Sequence, residues 1–163
     1  MEKLWSDILG ILNQDSRFPA EKIAAMLGRD KAGVAAAIEK MEKQGVIVKY
    51  NTLVNTDKLE DDRVQAWIEV RVTPQRNFGF DSIAEQIYQF EEVRDLYLMS
   101  GGFDLAVLVE GKSLREVAMF VSEKLSVLDT VTGTSTHFVL KKYKQGGVLI
   151  EDKAGQKRIA VHA

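Results

Sequence analysis

The chain of 163 residues, 45% hydrophobic and 28% charged, has the composition of an ordinary globular protein and the length of one medium domain or two small ones. Its formal charge is -2 overall, but residues 1–60, 61–140 and 141–163 carry 0, -6 and +4, so an acidic middle separates a neutral head from a basic tail. No apolar run reaches membrane-spanning length, no cysteine is present to make a disulfide, a thiolate nucleophile or a cysteine zinc site, and imidazole chemistry has only His137 and His162 to draw on.

The opening residues Met1-Glu2-Lys3-Leu4-Trp5-Ser6-Asp7 lack the basic, apolar, small-residue order of a secretory signal, which places the expected compartment in the cytoplasm. Leu4, Ile8, Ile11 and Leu12 recur at helical spacing and predict a first helix over about residues 3–14, ended by Asn13-Gln14-Asp15-Ser16. Pro19 suits the first position of a second helix with Ile23, Ala24 and Leu27 inward, and Gly28 supplies the turn after it. Asp30 is the expected N-cap of a third helix, with Val34, Ile38 and Met41 inward and Gly45 as the stop. Two helices joined by a few residues around a glycine form the pattern of a helix-turn-helix. Val46-Ile47-Val48-Lys49-Tyr50 then reads as a strand or wing.

A helix that enters the major groove does its work through the face turned away from its own core. Removing the inward set leaves Ala32, Ala35, Ala36 and Glu39 as that face, with Lys31, Lys40 and Lys43 at its margins. Alanine can touch a thymine methyl but cannot donate to guanine. Arg29, Lys31, Lys40, Lys43 and Lys49 are the expected phosphate contacts, so binding with weak base readout is the expectation for this head.

Asn55-Thr56-Asp57-Lys58 through Asp61-Asp62 is polar and charged, the best candidate for a hinge. Beyond it Val64, Ala66, Ile68, Val70 and Val72 alternate with Gln65, Trp67, Glu69 and Arg71, which predicts a half-buried strand closed by Pro74. Ser82-Ile83-Ala84-Glu85 has capping-box spacing ahead of a helix faced by Ile83, Ile87 and Phe90. Strands follow at Val93–Met99 and Leu105–Val109, separated by Ser100-Gly101-Gly102-Phe103-Asp104, and the second of them is apolar throughout and therefore central. Ser113-Leu114-Arg115-Glu116 is a second capping box, with Leu114, Val117, Val121 and Leu125 lining the next helix, and a fourth strand runs over about Val131–Lys141. The order βαββαβ is ferredoxin-like, with both helices on one face of an antiparallel sheet. The other face needs a cover, so self-association is expected there, with Trp67 as its candidate residue. The fold class is α+β: a winged helix-turn-helix head with linker over 1–60, a ferredoxin-like body over 61–141, and a basic tail over 142–163 that reads as an extension or a strand exchanged with a partner.

Asp7-Ile8-Leu9, Leu27-Gly28 and Glu42-Lys43-Gln44-Gly45-Val46-Ile47 in the head, with Gly102-Phe103-Asp104-Leu105 opening the third strand of the body, resemble the leucine-responsive and AsnC-type (Lrp/AsnC) regulators over nearly the whole chain. The resemblance implies a homo-oligomeric transcriptional regulator, not an enzyme, that binds double-stranded DNA through the head and senses a small effector, commonly an amino acid, through the body. It further implies an effector site at the turn between the second and third strands, to which Ser100, Gly101, Gly102, Asp104, Thr132, Thr134 and Thr136 are assigned here. Glycine amides freed by an unusual φ would meet the carboxylate, Asp104 the ammonium, and threonines on one side of the last strand would add hydroxyls. Where the family pattern has a Ser or Thr cap and an arginine in the third helix, this chain has Asp30, Ala36 and Ala37.

Two other readings stay open. One is a sensing or assembly module whose head has lost DNA binding. The other is an enzyme like the sirohaem decarboxylases, which share the two-domain shape and would call on Arg63, Arg71, Arg76, Arg94, Arg115 and His137 for a polyanionic tetrapyrrole. No phosphate-binding glycine loop, nucleophile elbow or acidic metal loop is present, so no cofactor and no metal are expected.

Overall fold

In a computed structural model, which describes residues 2–59, 62–74 and 79–150, the chain divides between Val54 and Asn55 into two units. Arg76, His162 and the end of the tail lie outside the described residues. Helix α1 (Glu2–Gln14), helix α2 (Ala20–Leu27) and helix α3 (Lys31–Lys43) build the first unit around Ile8, Ile11, Leu12, Ile23, Ala24, Val34, Ala37 and Met41. Pro19 stands one residue earlier than its φ suggested, as the N-cap of α2, where its carbonyl accepts from the Lys22 and Ile23 amides at 2.9 and 3.1 Å. Gly28 takes the left-handed conformation, φ 60°, and the Arg29 amide then donates back to Ala24 at 2.9 Å to close the helix. Asp30 caps α3 by accepting the Gly33 amide at 2.6 Å. Gly33 belongs to the same device, since a Cβ there would stand 2.8 Å from Asp30 Oδ2.

Two expectations for the head need correction. Ala37 is buried and Ile38 only half-buried, because the axis of the inward stripe runs through positions 34, 37 and 41, and a small side chain at its middle lets the helices approach closely. Ala37 therefore cannot be a groove-facing counterpart of the family arginine. The segment after Gly45 is also not a strand: the Val46 and Ile47 amides both donate to the Met41 carbonyl, at 2.9 and 3.2 Å, and so close α3. Among the described residues of this unit no second strand offers them a partner, and Tyr50 instead donates its hydroxyl to Glu42 at 2.9 Å.

The second unit opens with a 3-10 turn at Thr56–Lys58 inside the expected hinge, capped by the Asn55 side chain, whose Oδ1 accepts the Asp57 amide. Strands β1 (Val64–Val72), β2 (Val93–Leu98), β3 (Leu105–Gly111) and β4 (Val131–Phe138) form an antiparallel sheet in the order β2-β3-β1-β4, with helix α4 (Asp81–Tyr88) and helix α5 (Leu114–Met119) on one face. Ala66, Ile68, Val70 and Val72 of β1 and Leu105, Val107 and Val109 of β3 meet Ile83, Ile87, Val117, Phe120 and Leu125 in a single core. The Ser82 capping box does not form: α4 begins at Asp81, and its N-cap, Phe80, makes no side-chain bond. Ser113 does cap α5, accepting from the Glu116 amide at 3.1 Å. Leu114 is not inward but 57% exposed, and Val117 and Phe120 face the core instead, with a π-helical turn over Phe120–Leu125 following. β4 ends three residues earlier than its apolar composition suggested. The chain after it is a hairpin, β5 (Lys144–Gln145) against β6 (Val148–Leu149) around Gly146 and Gly147 at φ 54° and 82°, so this stretch of the tail is neither a plain extension nor a long strand.

Replacing Asp30 by Ala removes the only side-chain cap of α3 and should cost the first unit about 1 kcal/mol, read as a lower denaturation midpoint of the head in chemical unfolding.

Candidate functional site

Two surfaces carry the chemistry that the sequence singled out, one in each unit. On the head, Ala32, Ala35, Ala36, Glu39 and Lys43 are exposed at intervals of 3, 1, 3 and 4, which puts them on one stripe of α3. The ionisable groups around that stripe are engaged with one another. Lys31 donates to Glu21 at 2.9 Å, Lys43 donates to Glu39 at 2.5 Å, and the Lys40 ammonium stands 6.0 Å from the centre of the Trp5 ring. The Lys43 hydrogen bond holds the Glu39 carboxyl below its ordinary range and raises Lys43 in return. Arg29 and Lys49 are exposed at the two approaches to the helix.

On the body, the residues from Ser100 to Asp104 turn the chain from β2 into β3. The turn is closed by the Met99 amide, which donates to the Asp104 carbonyl at 2.8 Å, and is tied to the end of β1 by three bonds: the Asp104 carboxylate accepts the Val72 amide at 2.8 Å, the Asp104 amide donates to Val70 at 3.0 Å, and Arg71 Nε donates to the Gly102 carbonyl at 3.1 Å. On the β4 side the register slips at Arg71 and Val72, leaving Thr132 as the extra residue of a bulge, and its hydroxyl donates to the Arg71 carbonyl at 3.1 Å. Gly102, Asp104, Arg71 and Thr132 are thus gathered at one end of the sheet, with Ser100 and Gly101 exposed beside them.

Two expectations for this site do not hold. Thr134 and Thr136 pair with Val70 and Ile68, so they share the core face, while the bulge takes Thr132 out of their row. A period of two predicts one side for all three only if no extra residue intervenes. Gly101 and Gly102 are absent from the glycines with positive φ, so the turn does not depend on that conformation; a Cβ at either would meet nothing within 4 Å, and what they leave is an open approach to the backbone. Arg71, which the sequence brings in only through the tetrapyrrole reading, stands at this turn, and its place on the outward parity of β1, one residue before Val72, is the signal that points to it.

Among the described residues no element of the body covers the sheet face opposite the helices. Trp67 on β1 and Tyr97 on β2 lie there with ring centres 6.1 Å apart, 38% and 51% exposed, over Leu108 and Ala106 of β3. His137 Nε2 stands 3.3 Å from Glu69 on the same face. At its border Glu110 accepts from Arg63 at 2.7 Å, Gln65 at 2.8 Å and Arg94 at 3.1 Å. Burial pushes the Glu110 carboxyl up, but the Gln65 hydrogen bond and the Arg63 and Arg94 charges outweigh it and hold the group below its usual value. A carboxyl lowered in the folded state stabilises the fold above the unfolded value of 4.5 and loses that contribution as pH falls through the folded one. The body should therefore lose stability on acidification below about pH 4.5, and Glu110→Gln should flatten that loss, checked by thermal melts from pH 7 to pH 3.

Comparison with known proteins bears on both surfaces. Residues 6–48 match the winged helix-turn-helix DNA-binding family, and residues 65–149 match the Lrp/AsnC ligand binding domain. The uncharacterized HTH-type transcriptional regulator YugG of Bacillus subtilis is 47% identical over 157 residues, 96% of this chain and 95% of that protein. A proline dehydrogenase transcriptional activator of Rhodobacter capsulatus is 30% identical, covering 82% of this chain and 86% of its own. In fold, the chain is similar to a transcriptional regulator from Neisseria meningitidis solved in complex with L-Met, with a TM-score of 0.72, 19% identity, and coverage of 89% and 93%. These relatives are regulators of transcription, none of them an enzyme by description. Among the described residues no helix is long and apolar enough to cross a membrane.

Proposed function

The chain belongs to the Lrp/AsnC family of DNA-binding transcriptional regulators, and from that footing we propose a regulator that assembles through the bare face of its sheet and answers to an amino acid at the turn between β2 and β3. The observation that carries the effector reading is the gathering of a guanidinium, a carboxylate, a hydroxyl and open glycine backbone at one sheet end. An amino acid is a cation and an anion joined by one carbon, and it needs one partner of each sign within a few ångströms. Arg71 reaches Gly102 with one of its five N–H groups, so the same guanidinium can present others to a carboxylate, while Asp104 faces an ammonium. Ser100, Gly101, Gly102 and Thr132 complete the set; Thr134 and Thr136 line the core side and are left out of it. That one relative is described as activating a proline dehydrogenase gene and that one structural neighbour was solved with L-Met accord with an amino-acid effector.

Assembly follows from the bare sheet face. Trp67, Tyr97 and Leu108 form an apolar patch with charged groups at its border, and a second copy of the same face is self-complementary to it across a two-fold axis. A dimer then carries two α3 helices to half-sites on the order of 34 Å apart, or a multiple of it, and an effector that favours one assembly over another favours one spacing. Arg29, Lys31, Lys40, Lys43 and Lys49 supply phosphate contacts in this arrangement, with Lys31 exchanging its carboxylate partner for phosphate and Lys43 using the N–H groups that its bond to Glu39 leaves over.

Fluorescence anisotropy of the protein on duplex from its own promoter region, across a salt series with and without a pool of amino acids, tests the reading. Steep salt dependence and a response to the pool are expected. Lys31→Ala with Lys40→Ala should lower the salt slope by about 1 to 2, and Asp104→Asn, which keeps an oxygen for the Val72 amide but loses the charge, should silence the response without lowering DNA affinity. Wild-type behaviour of Asp104→Asn would move the effector elsewhere, and no binding at low salt would favour the sensing module. For assembly, Trp67→Asp should shift sedimentation toward the monomer, and an unchanged profile would exclude this face.

A further inference from the structure

Helix α3, Lys-Ala-Gly-Val-Ala-Ala-Ala-Ile-Glu-Lys-Met-Glu-Lys, contains no Arg, Asn or Gln, which leaves lysine as its only side chain able to donate to a guanine edge. Its polar groups are engaged with neighbours: Lys40 stands over the Trp5 ring, and the pair at the end of the stripe, Glu39 and Lys43, is bonded together. Lys31 is held by Glu21 at 2.9 Å, Glu42 accepts the Tyr50 hydroxyl at 2.9 Å, and Glu39, the one acidic residue of the stripe and its only candidate acceptor for a cytosine amine, is bonded to Lys43 at 2.5 Å. What the stripe itself offers, at positions 32, 35 and 36, is three exposed methyl groups. Side chains this short also let the helix backbone descend further into a groove than a helix bearing arginines can. The single feature of the major groove that an alanine methyl complements is the C5 methyl of thymine.

We propose that Ala32, Ala35 and Ala36 are the specificity-determining residues of the head and that they read thymine, packing against C5 methyl groups in the major groove of A·T-containing duplex without hydrogen-bonded base recognition by α3. The proposal rests on the regulator reading above and names its DNA target by class. Orientation on the duplex comes from the lysines at the margins, which hold phosphates of any sequence. Discrimination comes from apolar burial, so it is shallow at each position and grows with the number of thymines under the stripe. Glu39, neutralised by Lys43, tolerates a nearby phosphate at the end of the stripe instead of repelling it.

Deoxyuridine differs from thymidine by that methyl alone, which permits a test that leaves the protein untouched. Anisotropy titrations of the full chain at one salt concentration would compare a mixed A·T duplex with its uracil counterpart, and a G·C duplex with its 5-methylcytosine counterpart, which restores a methyl at the same place in the groove. Each contacted methyl should be worth about fourfold in affinity, so the thymine duplex should bind at least fourfold tighter than the uracil one, and 5-methylcytosine tighter than cytosine. Ala35→Gly and Ala36→Gly, checked for retained helicity, should bring the thymine-to-uracil ratio toward one; if they do not fold, the duplex comparison with the native chain still decides. Equal, salt-sensitive affinity for the thymine and uracil duplexes would overturn methyl reading while leaving a DNA-binding head. No binding to any duplex at low salt would overturn the head as a DNA reader altogether.

Discussion

A four-stranded sheet whose two helices both lie on one side is the constraint from which the body's behaviour follows. β1 and β3 sit at the centre of the order β2-β3-β1-β4, so the connections from β1 to β2 and from β3 to β4 each step over one antiparallel strand to the parallel strand beyond it. Such crossovers are right-handed, and two of them running in opposite senses along the sheet deliver their helices to the same face. The alternation in β1 then has only one outcome. Ala66, Ile68, Val70 and Val72 go under the helices, and Trp67 is delivered to the face that no element of the body covers. A protein built this way is left with an aromatic surface that a second copy can bury.

The same constraint locates the cluster at the sheet end. With β3 and β4 both hydrogen-bonded to β1, the β2–β3 turn and the start of β4 arrive on either side of Val70–Val72. Asp104 fastens one to the strand through the Val72 amide, and Thr132 fastens the other through the Arg71 carbonyl. A guanidinium and a carboxylate are therefore each bonded to backbone at the same end of the sheet, where glycine leaves the approach open. Asp104 has two tasks in this arrangement: it closes a backbone bond and it carries the negative charge of the cluster.

In the head the corresponding constraint is the small size of α3's side chains. Ala37 brings the helix close to its neighbours on the inside, and Ala32, Ala35 and Ala36 leave its outer surface nearly bare. Charges that would ordinarily dominate such a surface are paired within the unit, Lys31 with Glu21 and Lys43 with Glu39. Exposed pairs of this kind contribute little to stability and exchange partners readily, so they do not prevent the lysines from meeting phosphate.

The sequence by itself determined the elements, their order and the inward set of β1, because periods of 3.6 and 2 are local properties and because Gly28, Asp30 and Ser113 do their capping within three residues of themselves. It also carried the family resemblance, which rests on the order of motifs along the chain. What it misplaced were features decided by partners distant in sequence or by one extra residue. Val46 to Tyr50 has strand composition but no strand to pair with among the described residues; Leu114 is exposed while Phe120, three residues after Val117, faces the core; and the bulge at Thr132 broke a row of threonines that strict alternation had aligned. Tertiary structure alone brought Arg71 to Gly102 and Asp104 to Val72, across more than thirty residues of chain in each case, since only the pairing of β1 with β3 puts those backbones side by side.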